Sequence, residues 1–277
     1  MTDLDPRLNA MRPDLADETL RGQFKAEKFV SGIKFQIAKP IVSVFKRPEQ
    51  HAPQTTQALL GEMCLVFENK NGWAWVKLLR DHYVGYVEAS ALNNEVVAPT
   101  HKVVVPSTLL YPKPDIKSGP VQFIPRHAQI TVATQEGAFA ALHAGGYIFA
   151  AHLAPRNAKA EDFVEVAEEY LNVPYFWGGK SIYGTDCSGL VQTALQACGI
   201  EAPRDSDMQE KALGHYVSDQ NNLRRGDLIF WPGHVGIMQS ATHLLHANGH
   251  AMKTTSETLA NVVSRSDKPI SAIKRLA

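Results

Sequence analysis

The sequence predicts an α+β protein in which two small antiparallel β-barrels precede a domain that mixes helices and strands. Three observations support this class. Short β-favouring segments alternate with turn residues from about Ile33 onward. A Gly-aromatic-x5-Leu pattern ends two such runs, at Gly85–Leu92 and at Gly146–Leu153, which indicates an internal duplication. After Pro155 the apolar spacing becomes helical, and strand-like segments follow it.

Composition limits the functions open to the chain. Its 277 residues allow two domains or three small ones. Lys plus Arg and Asp plus Glu each total 28, so the formal net charge is zero. A chain without net basic charge has no electrostatic attraction for nucleic acids or anionic membranes. We therefore expect neither nucleic acid nor a membrane as a partner, and the apolar runs are too short to span a bilayer.

A cytoplasmic location is the expectation from the sequence. The segment Met1–Arg7 shows no basic start followed by an apolar run, so no signal peptide is visible. Cys64, Cys187 and Cys198 are too few for a disulfide framework. We expect them as free thiols, which fits a reducing compartment.

The residue pattern divides the chain into four parts. Residues 1–32 are charged and are interpreted as an N-terminal arm with a short helix around Asp14–Gln23. Residues 33–97 and 98–155 are predicted to form the first and second barrels, because turn signals separate their short strands. Residues 156–277 start with helical spacing and end in β-rich segments, which predicts an α+β domain.

One cysteine stands where a thiol nucleophile would be expected. Asp186 is a favourable N-cap for an apolar-faced helix that Gly199 ends, so Cys187 lies in the first helical turn. There the helix dipole and unpaired backbone N–H groups favour thiolate over thiol, and they can stabilise an oxyanion. The alternative is an inert buried thiol, the usual state of a lone cysteine. The polar neighbours Thr185 and Ser188 favour the nucleophile.

Two histidines could serve this cysteine. His234 begins the strand-like segment His234–Met238, and His246 lies in the next one. A hairpin centred near Ser240 places the two rings almost opposite each other on one face, with Cβ atoms about 5 Å apart. A general base backed by a polar orienting group follows from that arrangement. The alternatives are two unrelated surface histidines or a metal site, but no third ligand has a suitable spacing, so no metal is expected.

Several ordered motifs resemble those of the NlpC-type family of cell-wall cysteine peptidases, which have a papain-like core. The motifs are Tyr175–Gly179, Asp186–Leu190, Arg224–Leu228, Gly233–Ile237 and Leu245–Ala247. The resemblance covers roughly residues 156–277. It implies that Cys187 is the nucleophile, that His234 is the general base and acid, and that His246 orients His234.

The barrels refine this resemblance. Two bacterial SH3-like modules ahead of such a core resemble the subgroup that recycles murein peptides. The resemblance implies a γ-D-glutamyl-L-diamino-acid endopeptidase, also called dipeptidyl-peptidase VI. Such enzymes release L-Ala-γ-D-Glu from murein stem peptides whose L-Ala amine is free, and they need no cofactor.

Five residues are expected to bind that substrate. Asp186 would pair with the free α-ammonium through a charge-assisted hydrogen bond. The resemblance makes Ser188, Tyr175 and Ser206 pocket residues and suggests that Tyr83 of the first module closes the pocket end. The alternatives are structural: Asp186 as an N-cap only, Ser206 as the start of a capping box, Tyr83 as a surface aromatic of the barrel and Tyr175 as a core aromatic.

Two other functions remain open at this stage. The same Cys-His core could belong to an amidase or endopeptidase that acts on intact cell wall, which would require export and an open groove. The chain could also be a non-catalytic protein whose SH3-like modules bind a peptide. The presence of all three triad positions argues against the second alternative.

Overall fold

A computed structural model of the protein describes residues 4–276. Residues 1–3 of the predicted arm and Ala277 of the predicted last domain lie outside the described residues. Contacts divide the chain into two compact units, with the division between Arg156 and Asn157. The finer division into an arm, two barrels and a last domain stays a prediction. Among residues 4–276, no helix is long and apolar enough to cross a bilayer.

The arm differs from its prediction. In place of a helix around Asp14–Gln23, it forms two short parallel strands and, between them, a 3-10 turn at Glu18–Leu20. The strands are β1 (Leu15–Asp17) and β2 (Lys28–Val30). The side chain of Asp17 caps the turn by accepting the N–H of Thr19. Leu15 packs in one apolar cluster with Phe67 and Trp75 of the first barrel. Packing against that barrel, rather than intrinsic helix propensity, therefore decides the conformation.

The first barrel is a seven-stranded antiparallel sheet in the order β5-β4-β8-β7-β6-β3-β9. Its strands are β3 (Ile33–Ile37), β4 (Ile41–Phe45), β5 (Gln54–Leu59), β6 (Met63–Lys70), β7 (Trp73–Leu78), β8 (Val84–Glu88) and β9 (Leu92–Asn93). Asn71 and Gly72 join β6 to β7, both with positive φ, 53° and 82°. That is the two-residue hairpin turn that an Asn-Gly pair favours.

The second barrel consists of short antiparallel strands around a small apolar core. Its strands are β10 (His101–Val103), β11 (Ser107–Leu110), β12 (Gln122–Pro125), β13 (Gln129–Ile130), β14 (Val132–Glu136), β15 (Phe139–Leu142), β16 (Tyr147–Phe149) and β17 (Leu153–Pro155). The two Gly-aromatic repeats adopt the same local structure. In each, a strand leads into a 3-10 turn, at Ala89–Ala91 or Ala150–His152, and then into a short closing strand.

The unit that starts at Asn157 has a six-stranded antiparallel sheet in the order β20-β25-β21-β22-β23-β24. Its strands are β18 (Lys180–Ser181), β19 (Gly184–Thr185), β20 (His215–Tyr216), β21 (Leu228–Trp231), β22 (His234–Met238), β23 (His243–Asn248), β24 (Lys253–Thr258) and β25 (Ala272–Arg275). Its helices are α1 (Phe163–Glu168), α2 (Cys187–Ala197), α3 (Ser206–Ala212) and α4 (Leu259–Arg265). Helix α2 packs on β22 and β23 over the main apolar core. The predicted α+β class, with a Cys-bearing helix on an antiparallel sheet after an SH3-like barrel, is confirmed.

Candidate active site

The structure places Cys187 at the first residue of α2. Asp186 is the N-cap residue, with φ −100° and ψ 178°, and its carboxylate accepts the N–H of Gly189 at 2.7 Å. Gly189 lets the helix start approach the preceding loop, because a Cβ there would lie 2.2 Å from the carbonyl oxygen of Gly179. The short motif Asp-Cys-Ser-Gly therefore fixes both the cap and the close contact of the helix that carries the thiol.

The sulfur of Cys187 lies near two backbone N–H groups. It lies within hydrogen-bonding reach of the N–H of Val235, next to His234, and of the N–H of Ser188. Burial raises the pKa of this thiol, and the charge of Asp186 adds to the rise. Burial and Asp186 thus oppose the thiolate, whereas the backbone N–H groups of Val235 and Ser188 favour it. The predicted stabilisation of a thiolate by the helix dipole and these N–H groups stays a prediction.

His234 and His246 lie side by side. The distance from Nε2 of His234 to Nδ1 of His246 is 2.8 Å, and the ring centroids are 5.0 Å apart. The pairing differs from the prediction by two residues: Ile237 pairs with Leu245, so the hairpin is centred at residue 241 and His246 lies diagonal to His234. The long imidazole side chains still meet on one face of the sheet, because diagonal neighbours remain within reach of aromatic rings.

The two imidazoles differ in exposure. His246 is 1% exposed, whereas His234 is half-buried and, like His246, lines a cavity of about 360 Å³. Burial is the first cause that lowers the pKa of both rings; His246 and Arg265 lower that of His234 further, whereas Glu257 partly opposes the shift at His246. Both rings are therefore neutral in the free protein at neutral pH, and His234 can act as a proton acceptor.

Sequence reasoning missed Glu257 and Arg265, which continue the row of contacts beyond His246. Nε2 of His246 lies 2.9 Å from Oε1 of Glu257 on β24, and Glu257 forms an ion pair with Arg265 at the end of α4. Glu257 is opposite Leu244 in the register and so lies diagonal to His246. The sequence signal was weak, because β24 is a polar strand, Lys-Thr-Thr-Ser-Glu-Thr, that lacks the apolar alternation of its neighbours.

Asp186 is saturated by other donors. Its two oxygens accept the N–H groups of Gly189 and Gly178, two N–H groups of Arg204 at 2.9 and 2.7 Å, and the hydroxyl of Ser188 at 3.3 Å. Arg204 is 1% exposed and was also missed by sequence reasoning. The N-cap role of Asp186 is therefore observed. In this arrangement the Asp186 carboxylate has no free lone pair for an α-ammonium, and its predicted role in binding one stays a prediction.

The other predicted pocket residues occupy different settings. Tyr175 is half-buried; burial raises the pKa of its hydroxyl, and the charges of Cys187 and Asp186 add to the rise. Ser188 joins the Arg204 network at 2.9 Å. Ser206 is half-buried at the start of α3, but Asp205 is the N-cap residue, so the capping-box alternative for Ser206 is wrong.

Tyr83 belongs to the first unit. It is 4% exposed and packs in the core cluster of the first barrel, so the alternative of a surface aromatic is wrong. Its predicted role in closing the substrate pocket stays a prediction.

Comparison with known proteins assigns this site to a family. A model described as the NlpC/P60 family matches residues 172–266, which include the thiol and both imidazoles. The chain carries an NlpC/P60 domain. A second model, described as the bacterial dipeptidyl-peptidase Sh3 domain, matches residues 44–92 of the first barrel. The resemblance predicted from the sequence, a cysteine peptidase domain of this family after a bacterial SH3-like module, is confirmed.

The similarity to two curated relatives extends over both units of the chain. The gamma-D-glutamyl-L-lysine dipeptidyl-peptidase of Bacillus cereus is 29% identical over 202 residues, which are 64% of this chain and 59% of the relative. This chain therefore covers less than two thirds of that relative. The Bacillus subtilis protein of the same name is 26% identical over 79% of this chain and 80% of its own.

A solved structure shares the fold. The crystal structure of an NlpC/P60 family protein from Bacillus cereus superposes with a TM-score of 0.73 at 20% identity, covering 87% of this chain and 99% of the other. That likeness extends the common fold across both units.

Proposed function

We propose that this protein is a cysteine endopeptidase that hydrolyses the bond between γ-D-Glu and the diamino acid of murein stem peptides with a free N-terminal L-Ala. It would release L-Ala-γ-D-Glu. The observation that carries the proposal is the thiol of Cys187 at a helix start, beside the backbone N–H of Val235, which follows His234 in the chain; the His234 ring is in hydrogen-bonding contact with His246. The names of the Bacillus relatives, which align with both units, support the γ-D-glutamyl bond as the target.

In the proposed reaction His234 accepts the proton of the Cys187 thiol as the sulfur attacks the γ-carbonyl carbon. The backbone N–H of Cys187, aided by the Tyr175 hydroxyl, would stabilise the oxyanion. The C–N bond then breaks as His234 gives its proton to the leaving amine of the diamino acid, and a thioester remains. Water, deprotonated by His234, attacks the thioester, releases the dipeptide and restores the thiol. No step requires a metal or an organic cofactor.

Burial of the resting site suits this scheme. The neutral thiol and neutral imidazole become an ion pair only when the proton moves, and bound substrate then supplies the electrophile.

Recognition of the free amine of the substrate belongs to the same proposal. Asp186, Ser188, Tyr175 and Ser206 remain its candidate contacts, with Tyr83 as the candidate cap. Because Arg204 already holds Asp186, an ammonium would have to share or displace that ion pair.

A cytoplasmic location is part of the proposal, since free stem peptides rather than polymeric wall are the intended substrate.

The competing function is an endopeptidase or amidase of intact wall. The names of some relatives support this competing function, among them the peptidoglycan endopeptidase RipB of Mycobacterium tuberculosis, which is 36% identical over 34% of this chain. The alignment of the dipeptidyl-peptidases over the first unit favours the free peptide.

Mass spectrometry of reaction products tests the proposal. With L-Ala-γ-D-Glu-meso-diaminopimelate we expect L-Ala-γ-D-Glu and free diaminopimelate from the native protein, and no cleavage by Cys187→Ala. Cys198→Ala is the matched control, because Cys198 ends α2 outside the site, and it should retain full activity. N-acetylated tripeptide should resist cleavage. Equal cleavage of free and acetylated peptide, or preferential release of fragments from intact wall, would refute the stated substrate.

A further inference from the structure

We propose that Glu257 is a positioning residue that fixes the protonation pattern of both histidines, so that His234 presents an unprotonated Nδ1 to the Cys187 thiol. The inference rests on the proposed cysteine-peptidase function and extends it by a residue outside the Cys-His-His set. Its basis is an unbroken row of contacts: Nε2 of His234 to Nδ1 of His246 at 2.8 Å, and Nε2 of His246 to Oε1 of Glu257 at 2.9 Å.

The direction of each hydrogen bond follows from the chemistry of the last member. An ionised carboxylate only accepts hydrogen bonds, so Nε2 of His246 must carry a proton. The other nitrogen of a neutral His246, Nδ1, is then an acceptor and requires a proton on Nε2 of His234. The remaining nitrogen of His234, Nδ1, is left with its lone pair. A carboxylate at the far end thus selects one tautomer at each of two rings and leaves the base in the productive form.

Glu257 is held in its ionised form by its surroundings. Arg265 donates to both carboxylate oxygens, and Thr255 lies 3.5 Å from Oε1. The bonds from Arg265, and after them the bond from His246, lower the pKa of Glu257 to about 2 despite its partial burial. The fold sets this pair by a strand-to-helix turn, in which Thr258 ends β24 and caps α4 with its hydroxyl.

The same row of contacts also stabilises a positive charge on the histidine pair. The charged groups that act on the histidine pair are Glu257 from β24, Arg265 from α4 and Asp186 from the start of α2. When His234 takes the thiol proton, Glu257 stabilises the resulting cation through His246, whose own ring is 1% exposed. Arg265 keeps Glu257 a weak base, so the proton remains on the imidazoles and is available to the leaving amine.

The test combines kinetics with nitrogen NMR. Glu257→Gln preserves shape but removes the charge, and its amide can donate as well as accept. We expect kcat to fall roughly 10- to 100-fold, by analogy with the loss of a residue that orients a histidine ligand, with KM changed less than about twofold. The acidic limb of the kcat/KM profile should move to lower pH, since the carboxylate raises the pKa of His246. Glu257→Asp should recover part of kcat.

A matched control and a readout without substrate separate the possible failures. Glu168→Gln removes a carboxylate from another arginine pair, with Arg225, outside the row, and should change neither kcat nor the profile. Imidazole ¹⁵N shifts of the resting protein should show both rings protonated at Nε2, with a mixed pattern in Glu257→Gln. Unchanged shifts and an unchanged pH profile in that variant would overturn the proposal. Failure of the native protein to cleave the tripeptide would refute the function but leave the tautomer assignment measurable.

Discussion

At the scale of single residues, the site is organised by two ion pairs that sequence reasoning did not find. Arg204 holds Asp186, and Arg265 holds Glu257; the first pair fixes the helix start and the second fixes the histidines. Residue type and spacing were enough to select Cys187, His234 and His246. They were insufficient for Arg204 and Glu257, because a charged residue is usually solvated and only the tertiary fold shows which ones are enclosed.

The Arg204–Asp186 pair leads to a stability prediction. Arg204→Ala leaves a buried carboxylate without its counter-ion, and breaking such a pair costs about 3–5 kcal/mol. We expect urea denaturation to show a loss of that size in the free energy of unfolding. Arg225→Ala is the control, because its ion pairs are solvent-exposed and worth no more than about 1 kcal/mol. Similar losses in both variants would contradict the assigned role of Arg204.

At the scale of elements, local signals located most of the site. Helix α2 begins after its predicted cap and ends at Ala197, and Gly199, with φ +74°, follows the C-cap residue Cys198 as predicted. Strand β22 has the predicted bounds, His234–Met238. The predicted arm helix is wrong because packing against residues of the first barrel, distant in sequence, decides the conformation of the arm. A polar strand such as β24 gains its place from pairing with β23, which no local pattern reveals.

The close approach of α2 to its preceding loop gives an element-scale prediction. Gly189→Ala inserts a methyl group 2.2 Å from the carbonyl oxygen of Gly179, and backbone cannot yield as a flexible side chain does. We expect a loss of about 3 kcal/mol or more, at the upper end for overpacking, together with reduced peptidase activity as the thiol shifts. Gly249→Ala meets nothing within 4 Å and should change thermal stability little. Wild-type stability of Gly189→Ala would show that the helix start tolerates displacement.

At the scale of the whole molecule, the formal net charge of zero does not show which titratable groups are buried. Both units contain buried titratable side chains, such as Glu62 and Asp81 in the first and Asp186 and His246 in the second. Composition could not locate the groups on which the response of the protein to pH depends. Those groups became identifiable once the fold had placed them in the interior.

That response can be predicted with its sign. Burial lowers the pKa of His234 from 6.5 to about 3, and that of His246 is also lowered. The unfolded chain therefore binds protons that the folded chain refuses, so stability is full above pH 6.5 and declines as the pH falls toward 3. The pKa of Glu257 is lowered from 4.5 to about 2, so this carboxylate adds a further loss of stability as the pH falls from 4.5 toward 2. Urea midpoints measured from pH 7.5 to 4 should decrease, and less steeply in His234→Gln, which has no imidazole to protonate at that position. A pH-independent midpoint in the native protein would mean that the imidazoles are solvated rather than enclosed.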